Sequence, residues 1–102
     1  MIPLIEQNRE KIVALCRKHR LKRLELFGSA ARGNDFDPNR SDVDFLYSMD
    51  MTGDDLLDRW WGIREDLESL LRRKVDMVSI ETQDNPYFWM VANRCRVPLY
   101  DA

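Results

Sequence analysis

The hydrophobic period of this chain changes from that of a helix to that of a strand and back along its length, which confines it to layered α and β architecture. Between Pro3 and Arg20, Ile5, Ile12, Leu15 and Cys16 recur at helical spacing, with Glu6, Arg9, Glu10, Arg17 and Lys18 elsewhere on the wheel. Leu24-Glu25-Leu26-Phe27 then gives a short strand that stops at Gly28, and Gly28 to Gly33 holds a tight turn with at most one helical turn. Residues 34–40 are polar and contain Pro38, the signature of a loop. Val43, Phe45 and Tyr47 alternate with Asp42, Asp44 and Leu46, the period of a second strand. Thr52 followed by Asp55 resembles a capping box, and it opens a long helix with an apolar stripe of Leu56, Trp60, Ile63, Leu67 and Leu70. Arg72-Arg73-Lys74 suits the other end of that helix. Val75 to Ile80 is rich in β-branched residues and reads as a strand. Asn85-Pro86 supplies a cap and a first helical residue for a segment reaching about Cys95, and Val97 to Tyr100 ends the chain as a short extended piece. The expected fold is therefore α+β, in alternating layers: a small mixed sheet of about three strands plus a short C-terminal strand, covered by helices.

A length of 102 residues suits one domain with one core, here taken as residues 1–102. With 44% hydrophobic and 33% charged residues, the composition is that of a folded globular protein rather than a disordered one. A formal net charge of −2 supplies no broad attraction to DNA or RNA, so nucleic acid is not expected as the main partner. Cys16 and Cys95 have no companions at metal-ligand spacing, so zinc is unsupported and both read as reduced, half-buried thiols. The longest apolar run, Tyr87 to Ala92, is far too short to span a membrane, and Met1-Ile2-Pro3 leads straight into an amphipathic segment. No secretory leader is expected, and the cytoplasm is the expected location. His19, the single histidine, lies in a basic last helical turn and reads as a surface residue rather than a catalytic one.

Three features carry chemistry. Gly28-Ser29 follows a strand directly: glycine lets a ligand approach the backbone, the amides at a helix start attract anions, and the Ser29 hydroxyl can donate to a phosphate oxygen. Taken alone, a Gly-Ser turn is as well explained by chain reversal. Asp42-Val43-Asp44 holds two carboxylates on one face of a strand, an arrangement that repels itself unless a cation or solvent intervenes. Aspartate is a poor strand former, and two of them opening an otherwise apolar strand is a local conflict of the kind found at functional sites. Asp76, flanked by Val75, Met77 and Val78, either faces water at a strand end or joins the first two carboxylates. A cluster of hard oxygen donors would select Mg²⁺, which keeps waters and accepts substrate phosphates.

Together, Leu26-Phe27-Gly28-Ser29-Ala30-Ala31-Arg32-Gly33, Ser41-Asp42-Val43-Asp44-Phe45-Leu46 and Val75-Asp76-Met77-Val78 resemble the nucleotidyltransferase superfamily that includes DNA polymerase β, and within it the minimal nucleotidyltransferase branch. The resemblance covers nearly the whole chain; its one departure is the stretch between Gly33 and Ser41, longer than in the commonest form of the motif. It implies that Gly28 and Ser29 hold the triphosphate of ATP, and that Asp42 and Asp44 bind Mg²⁺, with two ions expected. Asp76 would either complete a second metal site or help deprotonate the acceptor hydroxyl. Arg32 either reaches a phosphate or pairs with a nearby carboxylate to brace the loop. Ser41 is a candidate to bond the backbone beside Asp42 and orient it, while Asp35 and Asp37 read as solvated turn residues.

The same resemblance implies a biological setting. Minimal nucleotidyltransferases are similar to antitoxins that act beside HEPN-domain toxins, adding AMP to a tyrosine of the toxin. A domain of this size is expected to meet its acceptor as a folded partner. Two other readings stand beside this one: a nucleotidyltransferase acting on a small-molecule hydroxyl such as an aminoglycoside, and a non-catalytic antitoxin that neutralises its partner by binding. Adjacent Trp60-Trp61 and the run Tyr87-Phe88-Trp89-Met90 diverge around their helices, so some must be exposed or covered by another chain, with Trp60 and Phe88 expected in the core.

Overall fold

The structure, a computed structural model, describes residues 1–37 and 41–102. The last part of the loop expected over residues 34–40 thus lies outside the described residues. The opening helical segment is two helices, α1 (Pro3–Gln7) and α2 (Arg9–Lys18). The break is at Asn8, whose side-chain amide donates to the Leu4 carbonyl (2.8 Å) while its backbone leaves helical geometry at φ −107° and ψ 9°. Asparagine competes in this way with the helical ladder. The remaining elements are β1 (Leu21–Phe27), α3 (Ser29–Arg32), β2 (Val43–Met49), α4 (Leu56–Leu71), β3 (Val75–Ser79), α5 (Pro86–Ala92) and β4 (Arg96–Asp101).

The four strands form one mixed sheet in the order β3-β2-β1-β4. β1 pairs antiparallel with both β2 and β4, and β2 pairs in parallel with β3 across the α4 crossover. One face of the sheet carries the main core. Ile5, Ile12 and Cys16 of α1 and α2, and Ile63, Leu67 and Leu71 of α4, pack against Leu24, Leu26, Val43, Phe45, Val75 and Leu99. The expected α4 stripe is thus rotated slightly: Leu71 is buried, whereas Trp60 and Leu70 are only partly so.

Two sequence-based expectations about α4 are corrected. Thr52 does not cap the helix; its amide and hydroxyl both bond the Asp50 carboxylate (3.0 and 2.7 Å). The N-cap is Asp55, whose carboxylate is taken by the Arg20 guanidinium (2.9 and 2.8 Å) and by Arg59 Nε (3.1 Å) rather than by a helix amide. Two cationic guanidinium groups attract the carboxylate more strongly than an uncharged helix amide does. At the other end Arg72 lies outside the helix in a left-handed cap, φ 54° and ψ 42°.

The expected cap of α5 is present, with Asn85 Oδ1 accepting the Tyr87 amide (2.9 Å). That helix stops at Ala92, so Cys95 lies in the turn before β4, partly buried, while Cys16 is fully buried and both thiols are free. His19 is not a surface residue. Its side chain is 12% exposed, lies against Gly62 of α4 and bonds Asp66 at 2.7 Å, tying α2 to α4. No helix of the described residues is long and apolar enough to cross a membrane.

Candidate active site

The opposite face of the sheet is where the acidic residues meet. Strand alternation places Asp44 and Leu46 of β2 on that face, with their register partners Phe27 and Glu25 of β1. On the other side Asp44 pairs in register with Asp76 of β3. Two carboxylates thus stand side by side on adjacent parallel strands, roughly 4.8 Å apart in the hydrogen-bonding direction. Asp42, one residue before β2, adds its charge from the same side of the alternation.

The electrostatic consequence is legible at Asp44. Its pKa is pushed up to about 6, first by burial, then by the charge of Asp76 and a hydrogen bond between the two carboxyls, then by the charge of Asp42. Arg32 opposes the rise from nearby. Crowded carboxylates of this kind either hold a proton or attract a cation. Among the described residues no three His, Cys, Asp or Glu side chains close into a ready-made metal cage. What the fold provides is the Asp44–Asp76 pair, with Asp42 contributing charge.

Gly28 forms the wall beside this pair. It ends β1 in a conformation with φ 71° and ψ −154°, and a Cβ there would stand 2.5 Å from Asp44 Oδ2. Only glycine has both the backbone freedom and the room. Ser29 follows as the first residue of α3, a single turn whose opening amides precede any helical partner. Gly33 closes that turn in the left-handed region, φ 83°.

Arg32 lies at the end of α3, and of its two candidate roles the structure displays the bracing one. Its Nε (3.2 and 3.3 Å) and Nη2 (2.8 Å) donate to the Asp35 carboxylate. Each holds the other in its charged form: Arg32 is raised, and Asp35 lies below the usual carboxylate range. Asp35 is thus the exposed turn residue expected, and an ion-pair partner of Arg32 as well. Ser41 also departs from expectation. Instead of bonding the backbone beside Asp42, it turns back on Asp37, donating its amide to the carbonyl (2.8 Å) and accepting the Asp37 amide on Oγ (2.9 Å).

Residues to which the sequence assigns no part in the site frame it. Phe27, the register partner of Asp44, makes an edge-to-face contact with Phe88 of α5, ring centroids 5.5 Å apart. Glu25 is buried on the same face, its side chain 3% exposed, and receives a two-bonded fork from Arg96 (3.1 and 2.8 Å) and a further contact from Arg23 (2.9 Å). In sequence, Glu25 looks like the solvent-facing member of an alternating strand. Its partner Arg96 is 71 residues away, so nothing local announces the pair.

Comparison with known proteins places this geometry. The sequence profile described as polymerase beta nucleotidyltransferase matches residues 10–101. A Methanocaldococcus jannaschii protein, provisionally named a protein adenylyltransferase, is 33% identical over 70 residues, covering 69% of this chain and 68% of its own. Among solved structures, a provisionally named minimal nucleotidyltransferase superposes with a TM-score of 0.73 at 30% identity, over 93% of this chain and 92% of that one. The antitoxin–toxin complex of Shewanella oneidensis, described as a tri-AMPylated HEPN toxin with its MNT antitoxin, gives a TM-score of 0.62 at 21% identity, over 95% of this chain and 72% of that one, and shares the fold. With the profile spanning almost the entire sequence and Asp44 set beside Asp76 behind a glycine turn, this chain belongs to the polymerase β nucleotidyltransferase family.

Proposed function

We propose that this protein is an adenylyltransferase that moves AMP from ATP to a hydroxyl, a tyrosine's, on a HEPN-domain toxin, and so serves as the toxin's antitoxin. The observation that carries the reading is the in-register Asp44–Asp76 pair on the face beside Gly28. The family supplies the reaction class. The archaeal relative supports a protein acceptor, and the Shewanella complex supports a HEPN toxin as that acceptor.

The donor set fits magnesium. Hard carboxylate oxygens suit it, and a divalent ion would relieve the burial and the like-charge crowding that raise the Asp44 pKa. Asp42 and Asp44, with Asp76, would hold one ion or two. Bound there, Mg²⁺ would supply charge stabilisation to the phosphate oxygens of an in-line displacement in which the acceptor oxygen bonds the α-phosphorus and pyrophosphate leaves. The chain's own groups do the rest. Gly28 and Ser29 offer amides and a hydroxyl to the triphosphate. A tyrosine acceptor titrates near ~10 in isolation, so its proton needs a nearby base, a role the exposed Asp76 carboxylate would fill if Asp42 and Asp44 alone hold the metal. Arg32, held by Asp35, keeps the turn after Ser29 in shape and lowers the local negative potential.

The test is to incubate the chain with Mg²⁺, ATP and a HEPN-domain protein from the same organism, then measure that protein's intact mass. A gain of whole AMP units, abolished by EDTA and by Asp44→Ala, is the expected result. A stable complex with no gain of mass favours neutralisation by binding alone, and transfer to an aminoglycoside instead of the protein favours the small-molecule reading.

A further inference from the structure

Helix α5 is apolar on every side, which for a helix in water means that every side is meant to be covered. The sheet covers only one. Phe88 and Ala92 face inward, with Phe88 against Phe27, and Trp89 bonds the Gln83 carbonyl through Nε1 (2.7 Å). Tyr87, Met90 and Val91, at i, i+3 and i+4, form an outward stripe with exposures of 75%, 58% and 49%. Asp84 and Asn85 precede the stripe, and Asn93 and Arg94 follow it, all exposed. An apolar centre with polar ends is the anatomy of an interface, and tyrosine and methionine are residues such surfaces favour.

The helix is also held firmly for so short an element. Arg96, whose guanidinium is bound by the buried Glu25, donates to Asn93 Oδ1 (2.9 Å) at the end of α5 and lies over the Trp89 ring at 5.2 Å. A buried carboxylate spent on fixing a seven-residue helix makes sense when that helix must be presented at a set position. That position adjoins the site, since Phe88 rests on Phe27, the register partner of Asp44. By contrast Met51, Leu57 and Trp61, the other exposed large apolar side chains, belong to the loop after β2 and to α4. The apolar groove there opens at Tyr47 and Ser79, three residues along β2 and β3 from Asp44 and Asp76 and so roughly 10 Å away, and runs on to Met51, Leu57 and Trp60.

We propose that the outer face of α5, through Tyr87, Met90 and Val91, is the surface on which the protein acceptor docks to bring its hydroxyl to Asp44 and Asp76. This rests on the adenylyltransferase reading given above. The size of the stripe selects this occupant over a second copy. A helix roughly 10 Å long with three outward side chains offers far less than the ~800 Å² per partner of a stable dimer. Its place beside Asp44 and Asp76 suits a partner whose hydroxyl must reach them.

The experiment compares the wild type with a Tyr87→Ser, Met90→Ser, Val91→Ser triple variant, whose changes lie on the surface, and with the single variant Met90→Arg. Mg²⁺, ATP and a HEPN-domain protein from the same organism are the probes. The expected result is a KM for the protein acceptor raised about tenfold or more, with kcat and the affinity for AMP-PNP unchanged. An unchanged acceptor KM overturns the docking surface and leaves the adenylyltransferase reading standing. If the wild type transfers no AMP, that reading fails by itself, and calorimetric affinity for the HEPN protein decides: weakening in the variants supports the surface, equal affinity overturns it. Loss of self-association in the variants with acceptor affinity intact assigns the stripe to a second copy and overturns the proposal.

Discussion

Asp44 is where the fold sets its own stability against its chemistry. Its pKa of about 6 lies above the ordinary carboxylate value because burial and two neighbouring acids disfavour its charge. A folded-state pKa above the unfolded one means that the folded chain binds more protons between about pH 4 and 6, so stability falls as pH rises through that window. Asp44→Asn removes this penalty. Without divalent ions it should stabilise the protein above pH 6, by about 1–2 kcal/mol once solvent screening at a half-exposed group is allowed for. The gain should vanish below about pH 4, as read by urea unfolding across pH. Added Mg²⁺ should stabilise the wild type and not the variant. Much of this site was legible in sequence, because Asp-x-Asp fixes two side chains on one strand face whatever surrounds them. The behaviour of Arg32 and Ser41 was not: both have several acceptors within reach, and only the folded loop selects Asp35 and Asp37.

At the scale of elements, the segment from β2 to α4 depends on one side chain that looks like an error in the helical pattern. Arg59 lies on the buried face of α4, 6% exposed, in line with Ile63 and Leu67. Its Nη2 donates to the Asp50 carbonyl (2.8 Å) and the Thr52 carbonyl (2.9 Å), and its Nε to Asp55, so one guanidinium holds both ends of the loop. Nη1 has no partner, which limits the net gain from this arrangement. Arg59→Ala would leave the Asp50 and Thr52 carbonyls unanswered, Asp55 keeping its bonds to Arg20, and should destabilise by about 2 kcal/mol, with Arg59→Lys recovering only a minor part because it lacks the planar fork. Denaturant midpoints of the two variants check this. Helical periodicity correctly located α4 and its apolar residues. It missed Arg59 because hydropathy counts a charge as solvent-facing, and the carbonyls that accept it are created by the loop.

For the molecule as a whole, the two thiols report on how the layers close. Cys16 is sealed between α2 and the sheet, and burial pushes its pKa up to about 12, so thiolate is nearly absent at pH 8. Cys95 is partly exposed in the turn before β4. An alkylating reagent under native conditions should therefore modify Cys95 first, while Cys16 reacts only through opening of the core, at a rate that rises with urea as global stability falls. Labelling followed by mass spectrometry separates the two, and equal rates would contradict the core described here. The alternation of helical and strand periods by itself determined the α+β layers, and short-range chemistry determined Gly28-Ser29, the Asp42/Asp44 pair and the Asn85 cap, because each depends on neighbours a few residues away. Tertiary structure alone decided that Asp76 stands beside Asp44, that Glu25 is buried against Arg96, and that α5 lies over Phe27 with a bare apolar face. Those three depend on strand register and on pairings across most of the chain, and no local pattern of residues encodes which strand lies next to which.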